Sequence, residues 1–321
     1  MNTGLWSHPA VVATRDDFAG RLLGIEARAG ASFSLQLSSG SSGGRILQVP
    51  RTAADIADIF RRVASPFARA VGRLPRRIAF VGGASHESAA TTLSYGDIET
   101  ASFRICQVAD IVAFEPDVLA TYPNVLREFL DMDRATFPSL LGVKLGGEPV
   151  LDADLRRAYA WDPALLVVEQ FGSTEMPAVS VGLHRGGVRS PLELQHDRYT
   201  YHLTRPADAD VWQPLVVEDR FADLLVRLDR PYDTGDEVRC SDRGIVAVRR
   251  AGRDLSGWVA AQEQLLAEGC TNVQFDLGSG VLRYCGPRTD LPQRRRINGV
   301  DLSTERGPMR RLPNNKLPLV C

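Results

Sequence analysis

The sequence predicts an α/β fold in which short strands alternate with helices. Its apolar residues switch repeatedly between a two-residue period and a helical period, and most strand-like runs are separated by a helix-like run. The chain has 321 residues, 44% of them hydrophobic and 24% charged, which is enough to bury a main core and a smaller second unit. Together these observations indicate mainly parallel sheets with flanking helices over the first two thirds of the chain.

The first predicted strand leads directly into a loop of serines and glycines. Phe33, Leu35 and Leu37 alternate with polar residues, which is the pattern of a half-buried strand. After the loop, apolar residues recur at helical spacing over residues 56–71, and Thr52 is placed to cap the helix. A strand, a glycine-rich loop and a helix in this order provide the local setting that a phosphate-binding loop needs.

Further strands and helices are predicted along the rest of the chain. Short apolar runs predict strands at residues 78–81, 111–114, 141–145 and 165–168. Helices are predicted at residues 124–132 and 153–160. The pattern becomes strand-rich after residue 192, and Leu224, Val226 and Leu228 alternate there. We therefore expect a large N-terminal domain at 1–252 with a β subdomain at about 192–250, and a small, mobile C-terminal domain at 253–321.

Charge, cysteine content and hydropathy exclude several classes of protein. The 38 Lys and Arg residues are balanced by 39 Asp and Glu residues, so there is no basic excess for binding nucleic acid or anionic membranes. The five cysteines are scattered and lack a CxxC spacing, which argues against a disulfide framework and a zinc site. The sequence shows neither an export signal nor a run of 18 apolar residues. We therefore expect a cytoplasmic protein that binds neither nucleic acid nor membrane.

The serine- and glycine-rich loop is the first candidate for binding a nucleotide. Its glycines permit backbone angles closed to other residues, so that successive N–H groups turn toward one anion, and its serines add hydroxyl donors. The candidate ATP-binding residues here are Ser38, Ser39, Gly40, Ser41, Ser42 and Gly43. The loop matches neither the P-loop pattern nor the GxGxxG pattern of dinucleotide binding. Taken by itself, it fits either a phosphate-binding loop or a flexible turn.

A second loop, at residues 171–175, follows the predicted strand at 165–168. Phe171 offers a ring for stacking on a purine, Thr174 a hydroxyl for a phosphate, and Glu175 a hard oxygen for Mg²⁺. In the structural alternative, Ser173 or Thr174 caps a helix and Glu175 lies in its first turn. The residues alone leave both interpretations open.

Four motifs in a fixed order resemble those of the adenylate-forming superfamily, whose members use ATP to activate a carboxylic acid. Residues 38–44 resemble its Ser-Ser-Gly-Thr-Thr-Gly phosphate loop, and residues 171–175 resemble its Tyr-Gly-x-Thr-Glu motif. Residues 234–236 match its Thr-Gly-Asp motif, and residues 252–253 resemble the Gly-Arg that opens its hinge. Within the superfamily the chain is most similar to the phenylacetate–coenzyme A ligase group, through residues 14–18, 120–123 and 146–149.

The resemblance implies which residues bind ATP. Three residues would lie beside the adenine: Gly147, Glu148 and Pro149. Phe171 would stack on the adenine, with Gly172 and Ser173 in the same ATP-binding loop. Thr174 would contact the α-phosphate as a catalytic residue, and Glu175 would bind Mg²⁺.

The resemblance also implies residues at the ribose and at the reacting groups. Asp236 would bind the ribose hydroxyls, with Arg253 nearby. Lys316 would supply the catalytic cation, although Asn315 replaces the glycine that precedes this lysine in the family. His86 follows a predicted strand and is a candidate to contact the substrate carboxylate or to act as an acid or base. A hydrogen-bonded structural histidine is an equal alternative.

We therefore expect ATP- and Mg²⁺-dependent conversion of a carboxylic acid to an acyl-adenylate in a specialised biosynthetic pathway. The acyl group would then pass to coenzyme A, to the thiol of an acyl carrier protein or to an amine. The altered motif at Lys316 favours an alternative, a non-catalytic nucleotide-binding or partner-binding relative that has lost turnover. The sequence leaves the oligomeric state open, and a homodimer is one option, in which a second copy would cover apolar surface left by a shortened N-terminal region.

Overall fold

The computed structural model describes residues 12–22, 33–38, 47–92, 97–205, 208–252, 254–286, 291–309 and 319. Its helices are α1 (Arg15–Leu22), α2 (Ala53–Val71), α3 (Ala84–Thr92), α4 (Val108–Phe114), α5 (Pro123–Phe129), α6 (Asp152–Trp161) and α7 (Ser256–Ala267). Its strands are β1 (Ser34–Leu37), β2 (Gln48–Arg51), β3 (Arg77–Val81), β4 (Glu99–Phe103), β5 (Val118–Thr121), β6 (Gly142–Gly146), β7 (Leu166–Phe171), β8 (Ser180–His184), β9 (Glu193–Leu194), β10 (Tyr199–His202), β11 (Gln213–Asp219), β12 (Tyr232–Ser241), β13 (Gly244–Arg250), β14 (Asn272–Asp276), β15 (Val281–Cys285), β16 (Arg294–Ile297) and β17 (Val300–Arg306).

One large sheet has the strand order β4-β3-β5-β6-β7-β8-β9. Strands β4 to β7 of this order run parallel, and β8 and β9 join antiparallel. Val143 and Leu145 of β6 face one apolar cluster, whereas Ala120 of β5 and Val168 of β7 face another on the opposite side. Apolar layers on both faces are typical of a parallel sheet. The predicted α/β class is therefore confirmed.

Helix α2 covers one face of this sheet beside β7 and β8. Thr52 caps the helix as the sequence predicts, because its hydroxyl accepts a hydrogen bond from the Asp55 N–H at 3.0 Å. Gly72 ends the helix in the left-handed conformation, with φ 79°. Ile56 and Phe67 lie on the face of the helix that packs on the sheet. The predicted amphipathic helix thus forms one wall above the sheet.

Three smaller sheets complete the described structure, and one of them is the antiparallel pair of β1 and β2. Strands β10 to β13 form an antiparallel sheet in the region where the sequence predicts a β subdomain. Its core includes Tyr199, Leu215 and Val238. Strands β14, β15, β17 and β16 form a C-terminal sheet, against which α7 packs through Leu265 next to Phe275.

Polar contacts join the C-terminal unit to helices α5 and α6. Arg127 of α5 pairs with Asp154 of α6 at 2.6 Å and donates to the Asn272 side-chain oxygen of β14 at 3.2 Å. Glu263 of α7 accepts hydrogen bonds from the first two N–H groups of α6 at 2.7 and 2.9 Å. The described conformation therefore has α7 packed beside α6, and the predicted mobility of the C-terminal domain stays a prediction.

Two predicted strands are wrong. Residues 111–114 belong to α4, because Val108, Ile111 and Val112 recur at helical spacing and pack on one core cluster. The strand that lies next to β3 in the sheet is instead β4. The sequence did not predict β4, because this edge strand contains few apolar residues. The run at 224–228 forms no strand either, and Val226 packs from an irregular segment onto the core of the β10–β13 sheet.

The described part of the chain contains four of the five cysteines. The cysteines in the described part of the chain are free thiols: Cys106, Cys240, Cys270 and Cys285. Burial raises the pKa of the Cys240 and Cys270 thiols to about 11, which keeps them protonated near neutral pH. Within the described ranges, no helix is both long and apolar enough to cross a membrane.

Candidate functional site

A cleft of about 1400 Å³ opens at the carboxyl ends of β5, β6 and β7. Open sheets with parallel strands bind ligands at this edge. The predicted site residues that line the cleft are Ser38, His86, Gly147, Glu148, Pro149, Phe171, Gly172, Ser173, Thr174, Glu175 and Asp236. The fold thus brings residues from several separate sequence motifs to one cavity.

The remaining predicted site residues lie outside the described residues. They are Ser39, Gly40, Ser41, Ser42, Gly43, Arg253 and Lys316. Their roles in binding ATP and in catalysis stay predictions.

Local hydrogen bonds fix the conformation of the loop that follows β7, and this conformation requires a glycine at position 172. The Ser173 N–H donates to the Met176 carbonyl at 2.9 Å, and the Met176 N–H donates to the Ser173 hydroxyl at 3.1 Å. A Cβ at Gly172 would lie 2.6 Å from the Met176 oxygen, and the φ of +154° is itself unfavourable for other residues. No helix follows this loop directly, so the helix-cap interpretation is wrong.

An ion pair holds the predicted Mg²⁺ ligand. Glu175 is buried, and its Oε1 accepts a hydrogen bond from Arg15 Nε at 2.8 Å. The Arg15 guanidinium also donates to the Ser38 hydroxyl at 3.3 Å. The same hydroxyl accepts a hydrogen bond from the Leu47 N–H at 2.7 Å, which fixes it at the end of β1. Arg15 therefore places a positive charge between the two loops that are predicted to hold the phosphates.

Beneath these loops lies a buried network of charges. Arg51 donates to the Thr174 carbonyl and pairs with Asp55 at 2.6 Å. Arg198, whose side chain is fully buried, pairs with Asp55 at 2.8 Å and with Asp219 at 2.6 Å. A buried charge is strongly destabilising once its partner is lost. The network therefore fixes α2, β11 and the loop that carries Thr174 relative to one another.

The Thr-Gly-Asp motif forms a tight structure within β12. The Thr234 hydroxyl donates to the Leu215 carbonyl at 2.9 Å and accepts from the Asp236 N–H at 3.1 Å, while Gly235 has φ +70°. Asp236 accepts a hydrogen bond from Arg250 at 3.0 Å. Burial raises the pKa of Asp236, and the charge of Arg250 opposes this shift. The motif thus presents one carboxylate to the cleft.

The segment after β6 is fixed by α5. Gly147 has φ +79°, which turns the chain at the end of the strand. Glu148 accepts hydrogen bonds from the Asn124 N–H at 3.3 Å and from the Asn124 side-chain amide at 2.8 Å. Glu148 therefore has a structural role in addition to its predicted place beside the adenine.

His86 lies on α3, where its ring is buried at one side of the cleft. It packs edge-on against Tyr122, with 4.4 Å between the ring centroids. A Cβ at Gly82 would lie 2.4 Å from His86 Nδ1, so the ring depends on a glycine at that position. The Tyr122 hydroxyl is hydrogen-bonded to Ser85 Oγ at 2.9 Å, and burial raises its pKa to about 12. A contact of His86 with the substrate stays a prediction.

Sequence reasoning missed Lys144, which also lines the cleft. Lys144 lies in the middle of β6, and burial lowers the pKa of its ammonium to about 8. A signal was present, because Lys144 is the charged residue within the apolar run at 141–145. In a strand that is buried on both faces, such a residue points to a function.

The donor set in the cleft fits Mg²⁺ bound together with ATP. Glu175 offers one buried carboxylate, and the described ranges contain no group of three or more side chains that would hold a metal by themselves. Mg²⁺ in nucleotide sites takes one or two carboxylates and completes its coordination with phosphate oxygens and water. One protein carboxylate is therefore sufficient.

Comparison by sequence alone finds no matching family model and no matching curated protein. Comparison of structures does find matches. A benzoate CoA ligase from Burkholderia xenovorans LB400 superposes with a TM-score of 0.60 at 13% identity, over 91% of this chain and 68% of that one. O-succinylbenzoate coenzyme A synthetase from Bacillus subtilis, in complex with AMP, gives a TM-score of 0.54 at 16% identity, over 89% and 67%.

A third similar structure, IdnL7, gives a TM-score of 0.56 at 17% identity and covers 84% of this chain. This chain spans 63% of the length of IdnL7, and it spans 68% of the benzoate CoA ligase. At this level of identity, the similarity shows the fold. The chain therefore has the fold of the adenylate-forming enzymes, with the cleft at the carboxyl edge of its large sheet.

Proposed function

We propose that this protein uses ATP and Mg²⁺ to convert a carboxylic acid to an acyl-adenylate, and then transfers the acyl group to coenzyme A, a carrier-protein thiol or an amine. One observation carries the proposal. The loop at 171–175, the turn at 234–236 and the segment at 147–149 line a single cleft, in a fold shared with CoA ligases. We place the reaction in the cytoplasm, within a specialised biosynthetic pathway.

The first step joins the acid to the nucleotide. A carboxylate oxygen bonds to the α-phosphorus, the bond from that phosphorus to the bridging oxygen breaks, and pyrophosphate leaves with the electron pair. Because negative groups approach one another in this step, the site must neutralise charge. When bound through Glu175, Mg²⁺ would supply part of this neutralisation. Arg15, 2.8 Å from Glu175, supplies a positive charge from the chain itself.

The second step transfers the acyl group. A thiol or amine attacks the carbonyl carbon, the proton of the nucleophile passes to solvent or to a base, and AMP leaves with the electron pair. The cleft extends to α7, where Val259 and Glu263 form part of its lining. The presence of α7 in the lining supports a role of the C-terminal unit in receiving the acyl acceptor.

A second function, nucleotide binding without turnover, is favoured by two ion pairs. The carboxylate predicted for Mg²⁺, Glu175, pairs with Arg15, and the carboxylate predicted for the ribose, Asp236, pairs with Arg250 at 3.0 Å. Each pair would have to rearrange or share its carboxylate when a nucleotide binds. A protein that retained the fold after losing catalysis would tolerate such pairs.

Exchange of labelled pyrophosphate into ATP separates these two functions. The assay uses Mg²⁺ and a panel of aromatic, aliphatic and amino acids, with ATP binding measured on the same preparation. Exchange that depends on one acid, and that Glu175→Ala abolishes, supports adenylation. A folded protein that binds ATP and shows no exchange with any acid contradicts it and supports the second function. Hydroxylamine trapping of the acyl group as a hydroxamate identifies the activated acid.

A further inference from the structure

Lys144 is an unusual residue for this chain. Of the 38 Lys and Arg residues only Lys144 and Lys316 are lysines, so the chain uses arginine for nearly all of its positive charges. Lys144 pairs in register with Ala120 of β5 and Val168 of β7. Residues opposite one another on neighbouring strands share a face of the sheet. Lys144 therefore lies on the face that α2 covers, between two apolar neighbours.

The space around Lys144 is an apolar lobe of the cleft. Among the residues that line it on this side are Phe60, Val63 and Phe67 of α2. Phe67 closes the lobe at one end, since a Cβ at Gly142 would lie 2.4 Å from the Phe67 ring. At the other end β6 leads into the segment predicted to lie beside the adenine. The lobe thus runs along the sheet from the nucleotide side to Phe67.

Two glycines lie on the same face of β6 as Lys144. Gly142, Lys144 and Gly146 occupy alternate positions of β6 and so share one face. A Cβ at Gly146 would lie 3.5 Å from Lys144 Nζ, which shows that the side chain extends along the strand toward the nucleotide side. Lys144 is itself among the residues that line the cleft on this side.

Within the part of the chain that the structure describes, no carboxylate compensates the charge of Lys144. Its Nζ forms no ion pair or hydrogen bond with those residues, and burial, without an opposing charge, lowers its pKa to about 8. Three of the carboxylates that line the cleft have other partners: Glu148 is bound by Asn124, Glu169 by His184 and Arg189, and Glu175 by Arg15. A partly buried ammonium without a partner in the described residues is a favourable place for the negative charge of a ligand.

We propose that Lys144 selects a substrate acid that carries a second anionic group, in the simplest case a dicarboxylic acid. This inference rests on the proposed function. The reacting carboxylate must face the α-phosphate near Thr174, so the rest of the acid extends into the lobe. The second carboxylate then meets the ammonium between the apolar walls. The walls accept the hydrocarbon part of the acid, and the charge pair discriminates against acids that lack the second anion.

The first test compares matched acids in the pyrophosphate exchange assay. Each dicarboxylic acid of the panel is paired with its monoamide and its monomethyl ester. The wild-type protein should favour the diacid by at least about tenfold in kcat/KM, the discrimination expected when a buried polar partner is left unpaired. Lys144→Met should remove this preference and keep exchange with the uncharged analogue. Val63→Ala changes the size of the same lobe without changing its charge and should keep the preference.

Two results of this assay would overturn the inference. If the wild type has the same kcat/KM for the diacid and its monoamide, Lys144 does not discriminate between a charged and an uncharged second group. An equal loss of exchange for every acid in Lys144→Met means that Lys144 acts on the reacting carboxylate instead. In both cases adenylation itself remains established, so the failure of the inference is distinct from the failure of the proposed function.

A second test needs no turnover. Reductive methylation with formaldehyde and cyanoborohydride, followed by mass spectrometry, measures the methylation rate of each of the two lysines separately. A diacid should slow methylation of Lys144 at least fivefold relative to its monoamide at the same concentration. If the diacid protects Lys144 but the protein shows no exchange activity, the result supports binding of an anionic ligand at Lys144. The same result contradicts the proposed adenylation reaction. The absence of both protection and exchange overturns the two proposals together.

Discussion

Arg15 and Glu175, 160 residues apart in the sequence, form an ion pair of 2.8 Å inside the cleft. The pair joins helix α1 to the loop after β7, and the Arg15 guanidinium reaches Ser38 at the end of β1 as well. The predicted Mg²⁺ ligand is therefore already oriented by a cation. If Mg²⁺ and ATP bind here as proposed, Arg15 would have to share or release this carboxylate, and its positive charge would then be available to the phosphates.

Glu175→Gln should lower pyrophosphate exchange at least about 100-fold, because an amide keeps the shape of the side chain and binds Mg²⁺ poorly. Unfolding by urea should show a loss of stability of about 1–3 kcal/mol, since Arg15 loses its charged partner. Retention of exchange within threefold of wild type at saturating Mg²⁺ would rule Glu175 out as the ligand.

A matched ion pair on the surface serves as control for Glu175→Gln. Asp229 pairs with Arg21 at 2.5 Å, and both side chains are mostly exposed. Asp229→Asn should leave exchange unchanged and alter stability by less than about 1 kcal/mol, because exposed pairs contribute little. Equal effects of the two substitutions would show that the role of Glu175 is only that of an ion-pair partner.

Gly172→Ala should lower both stability and exchange. The added Cβ would lie 2.6 Å from the Met176 oxygen, and the loop that carries Thr174 would have to shift. We expect a cost of about 2–4 kcal/mol from the combined strain and contact. Gly280 is a matched control, with φ +65° and open space around it, and Gly280→Ala should cost only about 1 kcal/mol and keep exchange. Similar effects of both substitutions would show that the contact with Met176 is unimportant.

The sequence predicted those elements whose local pattern agreed with their final environment. The sequence predicted a cap and an apolar face for helix α2, and both are present in the structure. Helix α4 was mistaken for a strand because its β-branched residues formed a short apolar run, and β4 was missed because its edge position needs few apolar residues. In both cases the tertiary position overrode local propensity.

The candidate site was predicted in part for a similar reason. Loop motifs such as residues 171–175 are contiguous, so their chemistry can be read directly from the sequence. The roles of two other residues depend on partners that are distant in the chain. Arg15 pairs with Glu175, and Lys144 lies in the apolar lobe that α2 closes. A single sequence does not show that packing.

Acid should weaken the network on α2 through Asp58. This buried carboxylate is bound by Arg62 at 2.7 Å and by Arg198 at 3.0 Å. Burial raises its pKa, but the hydrogen bonds and positive charges of these arginines outweigh burial and lower the pKa below 3.8. A carboxylate of this kind stabilises the fold above its unfolded pKa, and the contribution is lost as the pH falls through the folded pKa.

Asp58→Asn tests this pH dependence. At pH 7 it should reduce the free energy of unfolding by about 2–4 kcal/mol, and the difference from wild type should shrink as the pH falls below about 4. Urea denaturation at several pH values measures both quantities. The exposed Asp254, whose pKa is lowered by its hydrogen bonds to Ser256, provides the control, and Asp254→Asn should have a small effect. A difference for Asp58→Asn that stays constant between pH 7 and pH 3 would contradict the assignment.

Lys144 gives the opposite pH dependence. Burial lowers the pKa of its ammonium to about 8, whereas the unfolded chain keeps the ordinary value near 10.5. Below pH 8 the folded state bears the cost of the partly buried charge, and this cost disappears as the pH rises through the interval between the two pKa values. Lys144→Met should therefore stabilise the protein at pH 7 by about 1–3 kcal/mol, and the gain should fall toward zero above about pH 10. Lys144→Arg keeps the charge and should show no such gain. A destabilised Lys144→Met variant would mean that the ammonium has a partner within the folded chain, which would remove the physical reason for assigning it to an anionic substrate.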